Sequence, residues 1–162
     1  MGLFARIVVA VLVGAGSLLL TAAGRGAEGE LGGFVIGHVP PAAGDDVSDF
    51  ATVWGGVDFS SRVWEREVDD GYRVDLKINV LRGERLSGVD ELRDFLAEYH
   101  ERDPEEWERA SFHDGAYPGY RSARQAFWLV RPGVGVSVRL YSDRLDTTDL
   151  EATVAGVRPS AG

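Results

Sequence analysis

Tyr72-Arg73-Val74-Asp75-Leu76-Lys77-Ile78-Asn79-Val80 sets the class of this protein. Apolar and polar side chains alternate without a break, the period-two pattern of an antiparallel strand with one buried and one wet face. Such a strand needs neighbours. On its N-terminal side, Asp69-Asp70-Gly71 is a hairpin turn signal. It points back to a second strand over residues 57–66, which carries Val57, Phe59, Val63 and Trp64. Before it, residues 50–56 around Gly55-Gly56 give mixed signals, and 42–48 read as a loop. Residues 34–39 form a short apolar strand candidate ended by Pro40-Pro41.

On the C-terminal side the period changes. Val89, Leu92, Phe95, Leu96 and Tyr99 recur at three- and four-residue spacing, with acids and Arg opposite, as an amphipathic helix requires. Ser87 is placed to cap it, with Asp90 three residues on. A second start signal follows: Asp103 as cap, Pro104 at the first helical position and Glu106 completing a box, which puts Trp107 on a short second helix. Tyr117-Pro118-Gly119 reads as a turn between short strand candidates in 111–124. Residues 127–130 and 134–141 read as a hairpin around Arg131-Pro132-Gly133, with Val134, Val136, Val138 and Leu140 on one face. A last helix begins near Asp146, runs through Leu150 and Val154, and stops before Gly156.

Glu84-Arg85-Leu86-Ser87-Gly88-Val89-Asp90 and Asp143-Arg144-Leu145-Asp146-Thr147-Thr148-Asp149 share the form acid-Arg-Leu-cap-x-x-Asp. Either strand-to-helix junctions converge on this form, or a β-β-α unit has been duplicated. Both readings predict an α+β fold, an antiparallel sheet of about five to seven strands with two main helices packed on one face.

The N-terminus bears on location. Residues 1–6 contain Arg6, residues 7–23 carry no charge, and Thr21 and Ala23 are small residues placed for a signal-peptidase cut before Gly24. This is the pattern of a secretory signal over 1–23, or of an uncleaved membrane anchor, because the apolar run approaches spanning length. Arg25 stands where a lipoprotein would have its acylated Cys, and the chain has no Cys. Residues 24–32 read as a flexible Gly-rich linker, and 33–158 as a single domain of ordinary size.

Without Cys there is no disulfide, thiolate chemistry or cysteine metal site. The formal charge of −9 keeps an exported protein soluble or recruits a basic partner. It repels phosphate backbones, so no nucleic acid is expected as a partner, and membrane contact is expected only through residues 7–23 if they stay uncleaved. Lys77 is the only lysine among 17 basic residues, an Arg bias that looks like a GC-rich genome.

No residue set announces chemistry. His100-Glu101 opens like a zinc-protease helix, but position 104 is Pro where the second His belongs. His38, His100 and His113 lack ligand spacing and read as surface or capping residues. Asp143, Asp146, Asp149 and Glu151 lack the alternation of a calcium loop and suit a helix N-terminus. No G-x-S-x-G or S-x-x-K motif and no phosphate or dinucleotide fingerprint occurs. A spatial triad stays open among three histidines and ten serines. No catalytic, cofactor or metal residue is therefore assigned. Trp54, Trp64, Trp107 and Trp128 are core residues or a stacking face for a ligand. Trp128 alternates with Phe127 and Leu129, so its strand exposes an aromatic or is covered on both sides.

Gly33-Phe34-Val35-Ile36-Gly37-His38-Val39-Pro40, Tyr99-His100-Glu101-Arg102-Asp103-Pro104 with Trp107, and Phe127-Trp128-Leu129-Val130 with its Pro-Gly hairpin resemble small exported actinobacterial proteins of unknown function. The hairpin and last helix are similar, more faintly, to extracytoplasmic sheet domains that accompany anti-sigma factors and envelope lipoproteins. The resemblance implies fold and location and transfers no catalytic residue. The expected function is non-enzymatic binding of a protein or envelope component. The alternative is a secreted hydrolase, recognisable by a pocket where a histidine meets Ser or a carboxylate.

Overall fold

The structure, a computed structural model, describes residues 19–21, 28–103, 105, 107 and 109–162. The alternating stretch is β6 (Gly71–Arg82), paired antiparallel with β5 (Val57–Val68) across the Asp69-Asp70 turn. Outside β5 lies β4 (Asp46–Trp54), joined to it by Gly55-Gly56. Residues 46–48, expected as loop, belong to β4. No residue of β4 is fully buried, so this outer strand carries too little alternation to be read from sequence.

On the other side of β6 come β10 (Val134–Leu140), β9 (Gln125–Arg131), β8 (Tyr117–Arg121) and β7 (Ala110–Asp114), each antiparallel to its neighbour. β1 (Leu19–Thr21), inside the expected signal segment, pairs with β4, giving the order β1-β4-β5-β6-β10-β9-β8-β7. A smaller sheet has the order β11-β3-β2, from β2 (Gly29–Leu31), β3 (Phe34–Ile36) and β11 (Val157–Pro159). With α1 (Val89–Tyr99) and α2 (Thr147–Gly156), this is the α+β class the patterns imply.

The helices, expected on one face, lie on opposite faces. Leu92, Phe95 and Leu96 of α1 pack with Phe59, Leu81, Phe127 and Leu129. Leu150 and Val154 of α2, with Leu31, Phe34 and Ile36 of the small sheet, pack with Trp64, Ile78, Trp128 and Val138. The central strands are therefore buried on both sides, which explains the unbroken apolar run at 126–129. The same fact departs from what both readings of the paired junctions, duplication and convergence, imply. Adjacent antiparallel strands in a duplicated unit are related by a two-fold axis perpendicular to the sheet, and that operation keeps both helices on one face. β6 and β10 are such neighbours, and their helices are not.

Local corrections follow from backbone needs. Gly32 and Gly33 adopt φ of 55° and 84°, so the Gly-rich segment supplies the β2–β3 turn, and Leu31 is buried. The domain thus begins by Gly29, inside the stretch read as linker. Tyr117-Pro118-Gly119 is strand, and the turn falls at Gly115-Ala116. Gly119 answers to space: a Cβ there would lie 2.2 Å from the Phe127 carbonyl oxygen. The N-cap of α1 is Gly88, without a side-chain bond, so Ser87 does not cap it. Asp146 caps α2 in a reciprocal box with Asp149. After Asp103 the described residues make one turn, with the Trp107 N–H donating to the Asp103 carbonyl at 3.0 Å and the Glu105 N–H to the Asp103 carboxylate at 2.9 Å. No second helix forms among them, and Pro104 and Glu106 lie outside the described residues. So do residues 1–18 and 22–27, which hold most of the expected signal and the first four residues of the expected linker. Among the described residues no helix is long and apolar enough to cross a membrane.

Candidate functional site

On the α1 face, strand register lays polar side chains in two rows. Ser61, Asn79 and Ser137 form one, and Lys77, Arg139 and Gln125 form the next. In the first row the Ser61 hydroxyl donates to Asn79 Oδ1 at 2.6 Å. α1 ends at Tyr99, so His100 comes down onto the second row. Its Nδ1 lies 3.0 Å from Arg139 Nη1, and its Nε2 lies 3.1 Å from the Gln125 side-chain amide. That amide is also 3.3 Å from Ser137 Oγ.

The protons in this chain can be placed. A guanidinium only donates, so His100 Nδ1 accepts from Arg139 and the imidazole proton sits on Nε2. An Nε2–H requires an acceptor. Gln125 provides one when its amide oxygen is turned toward His100, where it also accepts from the Ser137 hydroxyl. Both ring nitrogens are then satisfied with His100 neutral. Burial, followed by the charges of Arg139, Arg102 and Lys77, lowers the His100 pKa to about 3. His100 is thus a fixed strut for Arg139, not a base poised near neutrality.

Three cations surround it: Arg139, Arg102 and Lys77. Lys77 and Arg139 stand directly opposite on neighbouring strands, where like charges destabilise. Burial first, then Arg139, lowers Lys77 to about 8. Arg139 lies over the Tyr141 ring at 4.7 Å, and the exposed Arg102 over Trp107 at 5.9 Å. Among the described residues none of these three cations forms an ion pair with a carboxylate. By contrast Arg62, Arg66, Arg85, Arg93, Arg121 and Arg158 all do. Lys77 and Arg139 are partly exposed and Tyr141 is 45% exposed. The result is a basic shelf beyond the C-terminal end of α1, open to solvent.

The other candidates from sequence are dispersed. His38 packs against Gly156, where an added Cβ would lie 2.7 Å from its own, and His113 is exposed on β7. Among the described residues no histidine hydrogen-bonds Ser or a carboxylate, and no group of three metal-binding side chains forms. The acids near α2 serve structure: Asp146 and Asp149 cap it, Asp143 lies 3.7 Å from Arg124, and Glu151 pairs with Arg121. Trp64, Trp107 and Trp128 are buried. Trp54 sits half-buried and edge-on to Phe95 and Tyr99, at 5.4 and 5.3 Å, so the four do not make a stacking face. The shelf escaped the sequence reading because its two key cations are 62 positions apart in the chain. The one available signal was Lys77 itself, a solitary lysine on the polar side of the clearest strand. No family model, curated protein or solved structure matches the chain.

Proposed function

We propose that this protein is an exported, non-enzymatic domain that binds a protein or a cell-envelope component, with the shelf of Lys77, Arg139, Arg102 and Tyr141 as its contact surface. The carrying observation is the like-charged Lys77–Arg139 pair, neither member of which forms an ion pair with a carboxylate among the described residues. The chain has 26 acids, and setting one beside this pair would stabilise the fold. A local arrangement held against stability is the mark of a functional surface. His100 fits the same reading, since its bonds hold Arg139 in place and engage both of its ring nitrogens. Export rests on the pattern of residues 1–23.

Two measurements test this. Wild-type protein should be retained on envelope material and crosslink to it through Tyr141, while the double variant Lys77→Met, Arg139→Gln should lose retention at least about tenfold and still unfold cooperatively. Equal retention of the two would overturn the assigned surface. Protein recovered from culture medium should begin near Gly24. Protein that keeps Met1 and fractionates with membrane would mean that residues 7–23 act as an anchor.

A further inference from the structure

We infer that the shelf takes one anionic oxo group, a carboxylate or a phosphate, held between the Lys77 ammonium and the Arg139 guanidinium. This rests on the shelf being the binding surface and adds what it binds. Arg139 is pre-organised for the task. One N–H is spent on His100 Nδ1, its face lies on Tyr141, and both ends of its support are fixed by Gln125 and the end of α1. A guanidinium held this way keeps free N–H groups in a rigid fork that matches two oxygens of a carboxylate or phosphate. Lys77 adds a point charge from the adjacent strand, and Arg102 lies at the rim. An anion between Lys77 and Arg139 replaces a repulsion with two attractions, so the empty site is the strained state and the filled one is relaxed.

The rest of the molecule limits the size of the ligand. A net charge of −9 repels a polyanion over most of its length, whereas a single charged group needs only the shelf. The site should therefore select an isolated anionic group over a phosphate polymer.

Binding should also take up a proton. The titratable groups facing the site besides the arginines are Lys77, His100, Tyr99 and Tyr141, with Asp75, two residues from Lys77 along β6, paired to Arg66 at 3.1 Å. Burial raises the two phenols above their ordinary values and His100 sits at about 3, so near pH 8 only Lys77 exchanges protons. An anion that favours charged Lys77 draws one in.

The experiment is calorimetric titration of the full wild-type chain near the Lys77 pKa, with inorganic phosphate, with acetyl-Gly-Gly carrying a free carboxylate, with the same peptide amidated, and with polyphosphate. Each titration is run in two buffers of different ionisation enthalpy. The expected result is saturable binding of phosphate, the free carboxylate or both, with proton uptake, and none of the amidated peptide. The arm that binds identifies the source of the oxo group. Lys77→Met and Arg139→Met should each weaken binding about tenfold or more, and the wild-type proton uptake decides the matter even if a variant fails to fold. No saturable binding of either anion, binding without proton uptake, or tighter binding of polyphosphate than of phosphate would overturn the inference. If envelope retention persists while both anions fail, the ligand chemistry is wrong and the binding surface stands. If the anions bind and retention is absent, the inference stands and the broader reading falls.

Discussion

Lys77 enters the folded state with its charge disfavoured, because burial and the Arg139 guanidinium opposite bring its pKa from 10.5 to about 8. Between those values the unfolded chain binds more protons than the folded one, so this residue makes stability rise with pH across that window. Below about pH 8 the penalty is present in full, and above about 10.5 it is gone. Lys77→Met keeps the stem and removes the charge. It should stabilise the protein at pH 7 by on the order of 1 kcal/mol, less than the full shift implies because the side chain is partly solvated. Urea denaturation at pH 7 and near 10.5 should show the advantage at the first pH and its loss at the second. An advantage equal at both would mean that charge is not what strains this position. Alternation alone placed Lys77 on the polar side of its strand. What it faces there depends on the β6–β10 register, set by packing between segments distant in sequence, and no local pattern carries that information.

At the scale of elements, legibility followed how much of an element's physics is local. The Asp69-Asp70 turn, the Pro132-Gly133 hairpin and both main helices come from turn chemistry and periodicity, and all are present. β4 was opaque because an outer strand needs no alternation. The two related junctions show how one pattern takes two roles. Asp146 accepts from the Thr148 and Asp149 N–H groups at 2.8 and 3.1 Å, while Ser87 stands one residue too early and Gly88 occupies the cap. Asp146→Ala should therefore cost about 1 kcal/mol and Ser87→Ala about nothing, and equal losses in chemical denaturation would refute the distinction. α1 gives a second contrast. Phe95 is 2% exposed among Trp54, Phe59 and the Arg85 guanidinium, and Phe95→Ala should cost about 3–5 kcal/mol through lost transfer energy and a cavity. Asp94 is exposed and, among the described residues, pairs with its neighbour Arg93 alone, so Asp94→Ala should stay within about 0.5 kcal/mol. Similar denaturation midpoints for the two would mean that α1 does not pack on the sheet.

At the scale of the whole molecule, the face each helix covers was the feature least visible in sequence, since periodicity says that a helix has an apolar side and not which sheet face receives it. The small sheet decides how the second face is closed. Leu31, Phe34 and Ile36 are 5, 3 and 1% exposed. Three polar ties hold them down: Arg62 to the Glu30 carbonyl at 3.1 Å, Arg82 to the Gly32 carbonyl at 2.7 Å, and the Ser160 N–H to the Gly33 carbonyl at 2.9 Å. Burying three such side chains contributes roughly 5–9 kcal/mol, comparable to the roughly 5–15 kcal/mol total stability of an ordinary domain, and no disulfide stands in reserve. A chain beginning at residue 28 should therefore unfold cooperatively within about 1 kcal/mol of the full protein, because the three-residue strand at Leu19–Thr21 is all that it loses from the described sheets. A chain beginning at residue 37 should fail to fold, since it uncovers Trp64 and Ile78 and strips the second face of its lid. Urea denaturation followed by tryptophan fluorescence separates the two, because Trp64 and Trp128 both lie in the core beneath that lid. Matching transitions for both truncated chains would show that the small sheet is an appendage, and that α2 alone closes the second face.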